Sequence, residues 1–480
     1  MDLTDKLLAA IDADHDQAVA RLVDWLRIPS VSAQPQHKAD CVAAAEWVRD
    51  QLLAIGFTAS LRQTPSHPVV VAHHPGPGGM PSDRRRAQPE GVNRPAKAPP
   101  HLLYYGHYDV QPADPFELWT SPPFDPQIIQ GPHGRRVVAR GAVDDKGQTM
   151  MWIEALRAWH RIAGGPPCAI TAVIEGEEEI GSPNLAPFLA AHAPELKADV
   201  AVISDTGMWD INTPALSTRL RGMCYVQLDL KAASRDLHSG MYGGSALNPL
   251  NLITKILGDL HDADGRIQLP GFYDGVPELS AAQRASWQSL GFSEHDFLGD
   301  IGLSVPVGEK DRGPLERLWA RPTADINGIW GGYTGAGSKT VIASEAHAKV
   351  SFRLVPGQDH EKVFESFRAF VQARLPADAK ASFEVFSSSP GIEVPADSRF
   401  IRAAQTALAG EYGKPAAMIG CGGSIPVVSS LKDILGLDTV LMGFGLDDDQ
   451  VHSPNEKFDL RCFHGGTRSH ARLLAKLAGG

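Results

Sequence analysis

Three short, continuously apolar stretches in the first half of the chain constrain the fold most. They read HLLYYGHYDV, CAITAVIEG and ADVAVISD, and amphipathic helical patterns such as KGQTMMWIEALRAWHRIAG and SPNLAPFLAAHAPE lie between them. Continuous apolar runs of this length are typical of parallel strands covered on both faces, and a helix between two such strands completes a βαβ unit. The sequence therefore predicts an α/β domain with helices on both faces of its sheet.

Two helices and a long loop are predicted around the start of this sheet. DQAVARLVDWLRI has apolar residues at helical spacing and stops before Pro29, and DCVAAAEWVRDQLLAIG is expected to begin at Asp40 as N-cap and to end at Gly56. Residues 75–100 are rich in Pro, Gly and Arg and offer little to bury, so we expect an exposed loop there.

The pattern changes near Pro214. CYVQLDLKA and HAKVSFRLV alternate as half-exposed strands do, NPLNLITKILGDLHD and DHEKVFESFRAFVQARL are helical, and ASFEVF is a last strand. These elements predict a smaller α+β domain whose sheet has one open face. Because the first pattern resumes at DSRFIRAAQTALAGEYG, we predict an α/β domain of residues 1–214 and 389–480 that is interrupted by an inserted domain of residues 215–388.

Charge and cysteine content narrow the class of protein. A dispersed net charge of −11 argues against nucleic acid or an anionic membrane as partner and favours a small molecule. No stretch is long and apolar enough to span a bilayer, and acids interrupt the N-terminal apolar runs, so we expect neither secretion nor membrane insertion. The five cysteines are far apart, with no C-x-x-C pair, so neither a disulfide framework nor a thiolate zinc site is indicated, and a reducing cytoplasm fits.

Polar side chains follow the predicted strands at the point where each strand ends. In an open parallel sheet the loops at these ends converge on one crevice. Carboxylates gathered there repel one another, and a pair of divalent cations would neutralise them. The mixture of imidazole and carboxylate suits zinc, with manganese or cobalt as alternatives. The residues concerned are His107, Asp109, Asp144, Asp145, Glu177, Glu178, Glu179 and Asp205.

Each of these signals also has a structural interpretation. His107 and Asp109 could form only an internal hydrogen bond, EGEEE could be a solvated face, and RGAVDDKGQ could be a turn that caps the next helix. VHSPNEKFD adds a histidine in a polar loop, and CGGSIPVV is a glycine-rich loop that lacks the lysine of a phosphate-binding loop. Their shared position at strand ends favours a functional site.

The motifs GHYDV, RGAVDDKG, EGEEEIGS, SD, HSG, FRLVPGQ, GGSIPV and HSPNEK, in this order over nearly the whole chain, carry a family resemblance. They resemble the dinuclear-zinc hydrolases that include carnosinase, cytosolic dipeptidase, acetylornithine deacetylase and succinyl-diaminopimelate desuccinylase. The resemblance implies a zinc-aminopeptidase-like catalytic domain with an inserted α+β, ferredoxin-like lid and dimerisation domain. It also implies two metal ions per chain, bridged by Asp144. His107 and Asp205 complete one ligand set, and Glu179 and His452 complete the other.

The resemblance further implies catalytic roles. The three adjacent glutamates cannot be told apart by their chemistry, but the family pattern aligns Glu178 with the general base, Glu179 with the ligand and Glu177 with a free position. Asp109 would orient His107 through its second ring nitrogen. Glu178 would take a proton from a water held by two zinc ions, and the resulting hydroxide would attack an amide carbonyl.

Four further residues have implied roles in binding substrate. His238 would stabilise the oxyanion and, like Thr340, would reach the active site of a neighbouring subunit, so the resemblance implies a homodimer. Arg353 and Ser424 match positions that bind the terminal carboxylate of the substrate.

The leading functional prediction is a metal-dependent dipeptidase. NGIWGGYTGAGSKTVI and the long insert resemble the carnosinase and dipeptidase branch more than the shorter deacylases. The alternative among enzymes is an N-acyl-amino-acid amidohydrolase that releases an acetyl or succinyl group by the same chemistry. An inactive binding or scaffold protein is a third reading, and it would require lost ligands, whereas every ligand position is filled here.

Overall fold

The computed structural model describes residues 1–77, 99–423 and 425–479, and the chain forms two compact units. The first comprises Met1–Thr218, Val394–Ile419 and Pro426–Gly480, and the second comprises Arg219–Glu393 and Gly420–Ile425. The sequence placed the boundaries after residues 214 and 388, a few residues earlier, and did not anticipate that Gly420–Ile425 groups with the inserted segment. Most of the loop predicted at 75–100, and also Ser424, lie outside the described residues.

The helices of the described chain are numbered in chain order. They are α1 (Leu3–Leu26), α2 (Lys38–Leu53), α3 (Lys146–Ala163), α4 (Leu185–Leu196), α5 (Ser239–Tyr242), α6 (Pro249–Gly258), α7 (Ala281–Gln288), α8 (Glu294–Gly299), α9 (Pro314–Trp319), α10 (His360–Gln372), α11 (Arg399–Tyr412), α12 (Pro426–Leu435) and α13 (Leu460–Gly479). Among them, none is both long and apolar enough to cross a membrane.

The strands are numbered in the same way. They are β1 (Thr58–Arg62), β2 (Val69–His74), β3 (His101–His107), β4 (Gln127–Gly131), β5 (Gly134–Val138), β6 (Ala169–Glu175), β7 (Val200–Ile203), β8 (Ala215–Leu220), β9 (Gly222–Lys231), β10 (Leu237–His238), β11 (Thr323–Gly331), β12 (Val341–Ile342), β13 (Glu345–Leu354), β14 (Lys380–Ser389), β15 (Ile392–Glu393), β16 (Ala417–Cys421), β17 (Thr439–Leu441) and β18 (Lys457–Asp459).

The first unit is built on a mixed sheet whose centre is parallel. Its strands follow the order β1-β2-β6-β3-β7-β17-β8, and β3 runs parallel to both β6 and β7. Every residue of β3 and of β7 is buried, as expected for strands covered on both faces. The predicted α/β fold class, with central parallel strands, is therefore confirmed.

The two N-terminal helices differ in detail from the prediction. Helix α1 already begins at Leu3, because Asp2 and Asp5 form a capping box in which each side chain accepts the other's backbone N–H. Asp40 is not the N-cap of α2: the helix begins at Lys38, and the Asp40 carboxylate lies 2.7 Å from Nδ1 of His37. The prediction for Asp40 was wrong because a short 3₁₀ turn leads directly into the helix.

The second unit has the ferredoxin-like arrangement. Strands β9, β11, β13 and β14 form an antiparallel sheet in the order β11-β13-β9-β14, with α6 following β9 and α10 following β13. Strand, helix, two strands, helix and strand in this order are the split βαβ pattern. Alternate residues of β9, beginning at Cys224, are buried beneath α6 and α10, and the residues between them stay half-exposed.

Strand β11 was missed from the sequence. Its residues TADINGIWG contain Asp, Asn and Gly, which are depleted in strands, and most of its side chains are exposed because it lies at an edge of the sheet. Pairing with β13 forms this strand, and local propensity gives little sign of it.

Candidate metal centre

Two groups of potential ligands lie in the first unit and share one residue. His107, Asp144 and Asp205 form one group, and Asp144, Glu179 and His452 form the other. Within each group, one ligand atom from every residue lies within 4.8 Å of the others. The structure thus brings together all five residues that the sequence proposed as ligands, with Asp144 common to both groups.

Parallel strands deliver most of these side chains to one edge of the sheet. His107 is the last residue of β3, Glu179 lies in a short 3₁₀ turn after β6, and Asp205 follows β7. Because these three strands are adjacent and parallel, their carboxyl ends meet. Asp144 precedes α3, and His452 lies in the loop before β18 with a left-handed backbone, φ 61°.

The distances fit divalent cations held between nitrogen and oxygen donors. Nε2 of His107 lies 3.2 Å from Oδ1 of Asp144 and 4.0 Å from Oδ2 of Asp205. Nε2 of His452 lies 3.0 Å from Oδ2 of Asp144 and 3.2 Å from Oε2 of Glu179. Nε2 of His107 is also buried without a hydrogen bond, as a nitrogen aimed at a cation would be. The imidazole and carboxylate donors therefore fit zinc or a similar ion.

Crowding of acids at this edge perturbs their titration. Burial, together with the charge of Asp144, raises the pKa of Glu179 to about 7 and that of Asp205 to about 6. Burial alone would raise the pKa of Asp144 too, but its two histidine partners hold it below its ordinary value. Hydrogen bonds to Asp144 and Glu179 raise the pKa of His452 to about 10. The crowded carboxylates thus repel one another, and bound cations would relieve this repulsion.

Asp109 connects the histidine ligand to the glutamate turn. Its buried carboxylate accepts the backbone N–H groups of Glu178 and Glu179, at 3.3 and 3.1 Å. Nδ1 of His107 lies 3.1 Å from the backbone carbonyl of Asp109 and 3.4 Å from its carboxylate. The sequence suggested a brace for His107 alone, and the structure adds contacts that fix the turn carrying Glu178.

The three adjacent glutamates have different surroundings. Glu177 is buried away from the ligand groups, where it accepts hydrogen bonds from Thr64 Oγ1 at 2.7 Å and from the His67 backbone at 2.9 Å. Glu179 belongs to a ligand group, and Nε2 of Gln111 donates to its Oε2 at 2.9 Å. Glu178 is partly buried, and the charges around it are those of the ligands. The position that the family pattern leaves free is thus occupied by a structural carboxylate.

Glu456 was missed from the sequence although it lies in the HSPNEK motif. Its buried carboxylate accepts backbone N–H groups from Gly141, Val143 and Asp144 at 3.0, 3.0 and 3.1 Å. Arg140 donates to the same carboxylate at 2.7 Å. Glu456 therefore joins the loop of His452 to the loop of Asp144. The only sequence signal is an acid four residues after His452, and its partners lie about 300 residues earlier in the chain.

A third group of acids in the described chain surrounds the ammonium group of a lysine. Asp448, Asp449 and Asp459 lie close enough together to hold an ion. Nζ of Lys457 lies between them, 2.9 Å from Asp448 and 2.8 Å from Asp459. An internal ion pair therefore accounts for this cluster.

The remaining predicted residues lie in the second unit. His238 and Thr340 are exposed and adjacent, because His238 pairs with Val341 across β10 and β12. Nδ1 of His238 accepts the Gly240 backbone N–H at 3.0 Å. Arg353 is half-buried near the end of β13. Ser424 lies outside the described residues, so its predicted role stays a prediction.

Comparison with known proteins identifies the family. Residues 103–476 match the model of peptidase family M20/M25/M40. The chain is 31% identical over 490 residues to the Cys-Gly metallodipeptidase dug1 of Schizosaccharomyces pombe, covering 99% of this chain and 98% of that protein.

Solved structures agree with this match. The structure of the dipeptidase Dug1p from Saccharomyces cerevisiae superposes with a TM-score of 0.82 at 27% identity, covering 100% of both chains. The crystal structure of human carnosine dipeptidase 1 gives a TM-score of 0.80 at 27% identity, covering 100% of this chain and 99% of that one. The chain therefore belongs to peptidase family M20/M25/M40, and the prediction of a metallopeptidase on the dipeptidase branch is confirmed.

Proposed function

We propose that the protein hydrolyses the peptide bond of dipeptides at a centre of two divalent metal ions, most suitably zinc. The observation that carries this proposal is the pair of ligand groups that share Asp144 and lie beside Glu178. His107 and Asp205 would hold one ion, and Glu179 and His452 the other, with Asp144 between them. The first unit would thus be the catalytic domain.

The chain's own residues would move the protons. When bound, the metal ions would polarise the scissile carbonyl and make water nucleophilic near neutral pH. Glu178 takes a proton from the attacking water and delivers it to the leaving nitrogen, acting as general base and then as general acid. Asp109 keeps Glu178 in place through the backbone N–H bond described above. Arg353, with Ser424 and Thr340, would bind the substrate.

A substrate panel tests this function. We expect the purified chain, supplied with zinc or manganese, to hydrolyse dipeptides, and a chelator to abolish the activity. Cys-Gly and β-Ala-His belong in the panel because the relatives' names point to Cys-Gly and carnosine. Acetylated and succinylated amino acids form the comparison set. Cleavage of the acylated amino acids alone would replace the proposal with an amidohydrolase, and cleavage of neither class would reject it.

We further propose that the enzyme is a cytoplasmic homodimer in which the second unit acts as lid and dimerisation domain. Beside His238, the side chains of Met241 and Tyr242 are exposed, Met241 to 76%, which supports a surface that a second copy covers. All five cysteines are free, in keeping with a reducing compartment. His238 and Thr340 would then serve the site of the partner subunit.

Mixing two inactive variants tests the shared site. His238→Ala and Glu178→Gln chains should each be inactive, but a heterodimer has one site in which an intact Glu178 meets an intact His238. With random exchange of subunits, activity should recover to about a quarter of the wild-type value.

The matched control mixes Glu178→Gln with Asp144→Ala, which should recover nothing because both residues serve their own chain. If exchange is verified by native mass spectrometry and the first mixture also stays inactive, then His238 does not act across a dimer.

A further inference from the structure

A second arginine lies beside Arg353 in the second unit. Arg353 pairs with Met223 across β13 and β9, and Arg221 lies two residues before Met223. Phe352 and Cys224 point into the core, so Arg353 and Met223 lie on the opposite face of the sheet. Side chains two residues apart on an extended chain point the same way, which brings Arg221 onto the face that carries Arg353.

Arg221 is fixed against the glycine-rich loop of the same unit. Its backbone N–H donates to the Gly423 carbonyl at 3.2 Å, and its Nε donates to the Gly422 carbonyl at 2.8 Å. A Cβ atom at position 422 would lie only 3.1 Å from Nη2 of Arg221, so glycine allows this close approach. The guanidinium therefore has a set position, with Nε occupied and the two Nη groups left for another partner.

Arg221 has no ion-pair partner among the described acids, although the charge of Asp325 lies close enough to favour its protonated form. By contrast, Arg219, Arg317 and Arg321 are paired with Glu393, Glu294 and Glu309. Burial and the nearby charge of Arg353 lower the pKa of Arg221 to about 10, so it remains a cation at neutral pH.

The surroundings of Arg221 leave room for a ligand. Arg221 lines a cleft of about 570 Å³ within the second unit. Asp325 also lines this cleft, and its carboxylate accepts a hydrogen bond from Thr323 at 3.1 Å. Two neighbouring guanidinium groups on one sheet face form a site for an anion, and their planar donors match a carboxylate.

We propose that Arg221 is a substrate-binding residue that, together with Arg353, holds the free C-terminal carboxylate of the dipeptide. This inference rests on the proposed dipeptidase function and adds a specificity determinant to it. A substrate whose carboxylate is replaced by an uncharged amide loses the partner of both guanidinium groups. The enzyme would therefore favour substrates in which a single residue follows the scissile bond, because that residue then carries the free carboxylate.

Paired substrates test this role. With alanylglycine, Arg221→Met is expected to raise KM and to lower kcat/KM about 10- to 100-fold, the scale of a lost hydrogen bond to a charged group. With alanylglycinamide, the same variant should change kcat/KM less than about threefold, because that substrate makes no such bond. Arg221→Lys should recover part of the loss. Arg368→Met, which removes an exposed arginine from α10, is the matched control and should leave both substrates unaffected.

Each other result has a defined meaning. Equal losses on the two substrates would show that Arg221 only supports the loop, and unchanged kinetics would show no role, so either result overturns the inference. Equal hydrolysis of both substrates by the wild-type enzyme would also overturn it while leaving the peptidase function intact. If the wild-type enzyme cleaves no dipeptide in the panel, the proposed function fails, and this inference fails with it.

Discussion

Glu178→Gln is expected to lower kcat for a dipeptide about 10²- to 10⁴-fold, the usual scale for a lost general base. Glutamine has the same size but cannot accept the proton of the attacking water. Asp109 contacts the backbone of Glu178 and not its side chain, so the turn should stay in place. Because Glu178 belongs to neither ligand group, metal content should stay at the wild-type value. Steady-state kinetics and elemental analysis of the same sample measure both quantities.

Glu177→Gln is the matched control for this variant. It makes the same chemical change one residue earlier, at a carboxylate that accepts bonds from Thr64 and His67 and lies outside the ligand groups. We expect a lower melting temperature and a nearly normal kcat. If Glu177→Gln is inactive and Glu178→Gln is active, the assignment of the base is wrong by one residue.

The sequence predicts the sheet edge that carries the ligand groups well, because topology brings most of their residues together. His107 ends a continuously apolar strand, Glu179 and Asp205 follow two others, and adjacent parallel strands must end at the same edge. The α+β class of the inserted unit is also predictable, since the alternation in CYVQLDLKA shows which face of β9 is buried, but its edge strand β11 was missed.

Contacts between distant parts of the chain are the part that sequence does not predict. Glu456 binds the loop of Asp144 across about 300 residues, and neither segment carries a local pattern that names the other. The same applies to Arg221, which precedes an ordinary alternating strand. Only its tertiary contact with Gly422 and its position near Arg353 indicate a role for it. The chemistry of three adjacent glutamates likewise does not show which of them is a potential ligand, because only tertiary hydrogen bonds distinguish the surroundings of Glu177 from those of Glu179.

Asp144→Ala is expected to lose both metal ions and to lower activity at least about 10³-fold, since the ions contribute several kcal/mol to catalysis. Asp144 is the one residue common to the two ligand groups, and each of its oxygens lies near a different histidine. Removing the carboxylate takes one ligand from each ion and the charge that lies between them. Its backbone N–H would still donate to Glu456, so the loop should keep its conformation. Elemental analysis after dialysis measures the ions, and circular dichroism verifies folding.

A graded comparison makes this assignment specific. His452 belongs to only one group, so His452→Asn should lose about one ion and keep the other. Asparagine is chosen because residue 452 has a φ of 61°, a left-handed conformation that asparagine tolerates better than alanine. The expected order of metal content is wild type, then His452→Asn, then Asp144→Ala. A bridging carboxylate requires this order, because a residue that served one ion alone would give the same loss as His452. If the folded Asp144→Ala protein retains as much metal as His452→Asn, Asp144 does not bridge, and the two groups must be assigned as separate sites.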